Sequence, residues 1–129
     1  MKLKLTLVFL FAFMAFTHNL FAQDKNAPFE KVEIEASFPG GMEAWNKYIT
    51  KQLLMHSDEF KKKDAGTCNI QFIVDKNGRV QDVQATNMKK SNLAKFAIEA
   101  IENGPKWIPA QQGGKTVNAY RMQPVTLGR

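Results

Sequence analysis

The sequence predicts an α+β fold: a small antiparallel sheet of three to four strands with two helices packed on one face. Three observations carry this. Cys68, Ile70, Phe72 and Val74 alternate with Thr67, Asn69, Gln71 and Ile73, and the run breaks at Asp75-Lys76-Asn77-Gly78, as a strand entering a tight hairpin does. Apolar residues recur at helical spacing over Met42, Trp45, Ile49 and Leu53, and again over Leu93, Phe96, Ala97, Ala100 and Ile101. A final run from about Lys115 to Leu127 alternates once more, so the order after Gly66 is strand, strand, helix, strand.

Taken in order, residues 1–22 read as a secretory signal. Lys2 and Lys4 give the positive start, Leu5 to Phe16 the apolar core, and Leu20-Phe21-Ala22 the cleavage site. The rival reading is an uncleaved inner-membrane anchor facing the periplasm, but Thr17, His18 and Asn19 spoil the last turn of a span. Removing 22 of 129 residues leaves 107, enough to bury ~60 to 70% of the unfolded surface. Residues 23–31 are polar, carry Pro28 and read as a flexible lead that reaches at most ~30 Å. The domain then spans 32–129. Val32, Ile34 and Ala36 suggest a short strand, and Pro39-Gly40-Gly41 starts a helix from about Gly41 to Leu54. On the return strand of the hairpin, Val80 and Val83 fall out of phase, which implies a bulge near Asp82 or a strand covered on both sides. Ser91 caps the second helix and Asn103-Gly104-Pro105 stops it. Gln111 to Gly114 is a turn-prone stretch, and Pro124 places the final strand at an edge or takes it out of the ladder before its end.

Composition narrows the function. The net charge of +6 falls to +4 once Lys2 and Lys4 are removed, and Lys61-Lys62-Lys63 is the only basic run, so a nucleic-acid partner is not expected. One cysteine, Cys68, permits no internal disulfide and shares a face with core residues. Two histidines and one cysteine make no zinc site, and the double glycines lack the context of phosphate loops. Trp45 and Tyr48 sit in an apolar stripe and read as core. His56, Ser57 and Asp58 are sequence neighbours, whereas a triad is assembled from distant positions. The expectation is a protein that is not an enzyme, with no catalytic residue, no metal and no cofactor.

Several ordered motifs together resemble the TonB C-terminal domain family, in its Bacteroidetes-type, stand-alone secreted form. They are Phe38-Pro39-Gly40-Gly41, Gly66-Thr67-Cys68 through Phe72-Ile73-Val74-Asp75-Lys76-Asn77-Gly78, Trp107-Ile108-Pro109-Ala110, Gly114-Lys115 and Gln123-Pro124-Val125-Thr126. The resemblance implies a TonB C-terminal-like fold in the periplasm. It also implies a partner: the TonB box of an outer-membrane TonB-dependent receptor, held as an added strand in energy-coupled transmembrane transport or its modulation. By analogy the accepting edge is Val117, Asn118, Ala119, Tyr120, Arg121, Met122 and Gln123. His56-Ser57 stands where the family usually carries Tyr-Pro. The lead is too short to carry an anchored domain across a periplasm, so the expectation is a binding module rather than a full transducer. The membrane is a partner only if the signal stays uncleaved. The alternative is a structural or peptidoglycan-associated envelope module that forms a homodimer through the same edge.

Overall fold

The computed structural model describes residues 27–128, so the expected signal at 1–22 and the start of the lead lie outside the described residues. The elements are α1 (Gly41–Leu54), β1 (Gly66–Val74), β2 (Val80–Ala85), α2 (Asn92–Glu102), β3 (Ala110–Gln112), β4 (Lys115–Val117) and β5 (Ala119–Leu127). Strands β2, β1 and β5 form an antiparallel sheet in that order, and β3 with β4 forms a separate two-stranded one. Helix α2 lies across all three strands of the larger sheet and α1 packs on α2. The α+β fold expected from the sequence is therefore the fold observed.

Local chemistry explains most boundaries. Helix α1 buries Trp45, Ile49 and Leu53, four residues apart and hence on one stripe. The Ser91 hydroxyl accepts from the Ala94 N–H at 3.0 Å, closing the first turn of α2. In the hairpin, the Asp75 carboxylate accepts from the N–H groups of Asn77 and Arg79, each at 2.9 Å, and Gly78 takes a positive φ of 86°. A side chain at Gly78 would fall on the Trp107 carbonyl, so glycine serves both the turn and its docking. The bulge expected near Asp82 is present. Gln71 pairs with Gln84 and Ile73 with Gln81, leaving Val83 and Asp82 together opposite Phe72, and Asp82 adopts a φ of 51°.

The core lies between the sheet and the helices. Cys68, Ile70, Phe72 and Val74 are wholly buried from β1, and Trp107 packs its ring against Phe72 at 4.9 Å and Phe38 at 5.6 Å. Burial pushes the Cys68 thiol above its ordinary pKa, which suits a packing residue and not a nucleophile. Asp64 is also fully buried. Its carboxylate accepts from the Lys61 N–H at 2.8 Å and the Asn92 N–H at 2.9 Å, tying the loop after α1 to the start of α2. The Lys61 hydrogen bond first, then those from Asn92 and the charge of Lys63, hold its pKa below 3.8 against the opposing effect of burial.

Two strand expectations are corrected. Val32 to Ser37 is not a strand: Ile34 bridges to Gln111 and Ser37 to Ile108 as isolated contacts, and Ile34 is 57% exposed. The chain bends between two short attachments instead of running along one partner, so Ala36 is buried while Ile34 is left in solvent. The final strand is split at Asn118. Val117 belongs to β4 and pairs with Ala110, so Gln111 and Gln112 lie in a strand and only Gly113-Gly114 turns.

Candidate partner-binding edge

Among the described strands, β5 pairs only with β1. Its register with β1 runs without a shift from Ala119 opposite Val74 to Leu127 opposite Gly66. Backbone groups of alternate residues in such a strand point to opposite sides. The Tyr120 N–H donates to the Phe29 carbonyl at 2.9 Å and the Asn118 carbonyl accepts from the Phe29 N–H at 2.9 Å, so these residues face away from β1. By the same alternation Met122, Pro124 and Thr126 face outward, while Ala119, Arg121, Gln123, Val125 and Leu127 face β1. Pro124 stands at an outward position, where its missing N–H costs the internal ladder nothing.

The seven residues expected at the edge thus divide. Val117 is engaged in β4. Asn118 holds Phe29 with its carbonyl and the Lys76 N–H with its side chain at 2.8 Å, which explains the break between β4 and β5. Ala119, Arg121 and Gln123 turn their backbones to β1. Ala119 and Gln123 are buried, and the Arg121 guanidinium bridges the Glu35 carboxylate at 2.8 Å and the Gln123 amide oxygen at 3.1 Å. Tyr120 gives its outward N–H to Phe29, and Met122 remains, with an outward backbone and a side chain 45% exposed.

Two contributors were not legible in the sequence. Phe29, within the segment read as a lead, forms a parallel bridge to Ala119 and covers the first part of the edge, although its ring is 44% exposed. A lone aromatic among polar residues was the only signal available. Thr126 is the other. It ends the outward series, and its hydroxyl lies 2.9 Å from that of Thr67 on the open face.

His56 and Ser57 sit just beyond α1. The His56 ring stacks on Phe96 at 3.7 Å between centroids, and its Nδ1 lies 2.8 Å from a Glu59 carboxylate oxygen. Its partner is therefore Glu59 and not the neighbouring Asp58. Among the described residues there is no group of three or more His, Cys, Asp or Glu placed to hold a metal.

The family model for the Gram-negative bacterial TonB protein C-terminal matches residues 58–126, which takes in β1 through almost all of β5 but neither α1 nor Phe29. No curated protein and no solved structure matches the chain. With the match covering more than half of the sequence, and with the motifs, the antiparallel sheet and α2 all in place, this chain belongs to the TonB C-terminal domain family.

Proposed function

We propose that the protein is a periplasmic, non-enzymatic binding module that takes an extended segment of a partner onto β5 as an added strand. The partner is the TonB box of an outer-membrane TonB-dependent receptor. Family membership supports this reading, and the Phe29 contact carries it: the edge already accepts a parallel backbone at Asn118 and Tyr120. Beyond Tyr120 the outward series continues through Met122 and Thr126, each with an N–H and a C=O, while the Pro124 carbonyl between them accepts from the Gln123 side-chain amide at 3.3 Å. A partner strand lies along Met122–Thr126, and one that runs further must displace Phe29.

Each backbone bond gained there contributes ~0.5 to 1.5 kcal/mol net, while association costs at least ~4 kcal/mol. Backbone pairing alone therefore gives weak binding, and tighter binding requires side-chain contacts. Titration calorimetry with a receptor-derived box peptide tests the reading. Binding that disappears in Met122→Pro, with a thermal melt lowered by no more than a few degrees, is the expected result. Binding that survives the substitution contradicts it, and a concentration-dependent dimer abolished by the same substitution would assign the edge to a second copy. Intact mass of the protein from periplasmic and membrane fractions tests export, with a soluble species beginning at Gln23 expected.

A further inference from the structure

The outward series of β5 ends beside an apolar groove. This groove, of about 830 Å³, runs between the end of α1 and the end of β5, and is lined by Leu53, Leu54 and Phe60 on one side and by Thr126 and Leu127 on the other. Leu54 is 66% exposed although it is a large apolar residue. Lys61 and Lys62 stand on the rim, and no carboxylate lines the groove among the described residues. The buried Asp64 carboxylate fixes that rim by accepting from the Lys61 N–H.

We infer that this groove is the side-chain subsite of the β5 edge, and that it takes bulky aliphatic or aromatic side chains of an extended partner peptide whose neighbouring residues are acidic. The inference rests on the strand-addition reading and adds to it where the peptide's specificity resides. Thr126 belongs to both features, since its outward backbone is the last docking point for a peptide strand and its residue forms the groove wall. The volume accommodates more than one side chain, within the range of sites that bury a ligand. Two ammonium groups, with no carboxylate among the described lining residues, favour an acidic sequence and disfavour a basic one. A lipid surface fits less well, because the apolar residues line a concavity and the adjacent free backbone groups serve a peptide and not an acyl chain.

The test is selection of the full chain against a random nine-residue peptide display library, repeated with Leu54→Asp and with Lys61→Glu/Lys62→Glu. Leu54 is exposed, so its replacement spares the core. The expected peptides carry a large apolar residue flanked by Asp or Glu. They lose about tenfold in affinity to Leu54→Asp, as expected for losing burial of one such side chain, and their acidic preference inverts with the lysine replacements. Selected peptides that ignore Leu54→Asp but fail with Met122→Pro would overturn the groove and leave the edge standing. Peptides indifferent to both, or no selection at all, would overturn both. Sedimentation with phosphatidylglycerol vesicles, or a dimer in solution, that depends on Leu54 would also overturn the inference by giving the groove to a lipid or a second copy.

Discussion

The two ends of β5 make the same strand into two different surfaces. At Asn118 and Tyr120 the outer edge is closed by Phe29 of the same chain, whereas from Met122 to Thr126 no strand among the described residues pairs with it and it opens on an apolar, lysine-rimmed groove. The difference teaches that a free edge is not a property of a strand but of each backbone group along it. About half the groups of β5 are spent on β1 and some of the rest on Phe29, which leaves only the remainder for the partner proposed above.

The sharpest way to break the comparison uses proline at both parities. Ala119→Pro removes a donor to β1 beside a buried partner strand and is expected to cost about 2 to 4 kcal/mol in denaturant unfolding. Met122→Pro removes an outward donor and is expected to cost less than about 1 kcal/mol while abolishing peptide binding. Equal losses in the two variants would mean that the alternation assigned here is wrong.

Next in size is Asp64→Asn, which loosens the rim of the open end. A carboxylate whose folded pKa lies below 3.8 stabilises the fold above that pH and loses its contribution as pH falls through the lower folded value. The variant is expected to melt several degrees below the parent at pH 7, with the gap narrowing below pH 3.8. A gap that widens in acid would contradict the assigned role.

What the sequence disclosed follows the same division between local and distant causes. Helix α1, the hairpin turn, the Asp82 bulge, the Ser91 cap and the stop at Asn103-Gly104 all rest on signals within a few residues, and each was legible. The split at Asn118 was not, because it depends on Phe29 and Lys76, which lie far off in the chain. For the same reason the alternation of Val32, Ile34 and Ala36 misled: periodicity marks which side chains share a face, and says nothing of whether a partner strand is present. The groove was hidden because its two walls, at Leu54 and Thr126, meet only in the folded chain.

Smaller effects sharpen the closed end. Phe29→Ala is expected to cost about 1 kcal/mol or less, since the ring is nearly half exposed. It should raise the affinity of peptides long enough to reach Tyr120 by about threefold, and leave shorter ones unchanged, because only the former compete with Phe29. Calorimetry with two peptide lengths distinguishes these. Smallest of all, Glu35→Gln removes an ion pair in which Glu35 is largely exposed, and should shift stability by at most about 1 kcal/mol. A larger loss in urea unfolding would show that Arg121 organises the segment before α1 more firmly than its geometry implies.

The central claim is that a partner backbone pairs with the outward groups of β5, and residue-resolved amide hydrogen exchange with and without a bound box peptide tests it most directly. The account predicts slowed exchange at Met122 and Thr126 on binding, with Arg121, Gln123 and Val125 unchanged because they already donate to β1. Protection that falls on Arg121 and Gln123 instead, or that spares β5 while peptide binds, would contradict it.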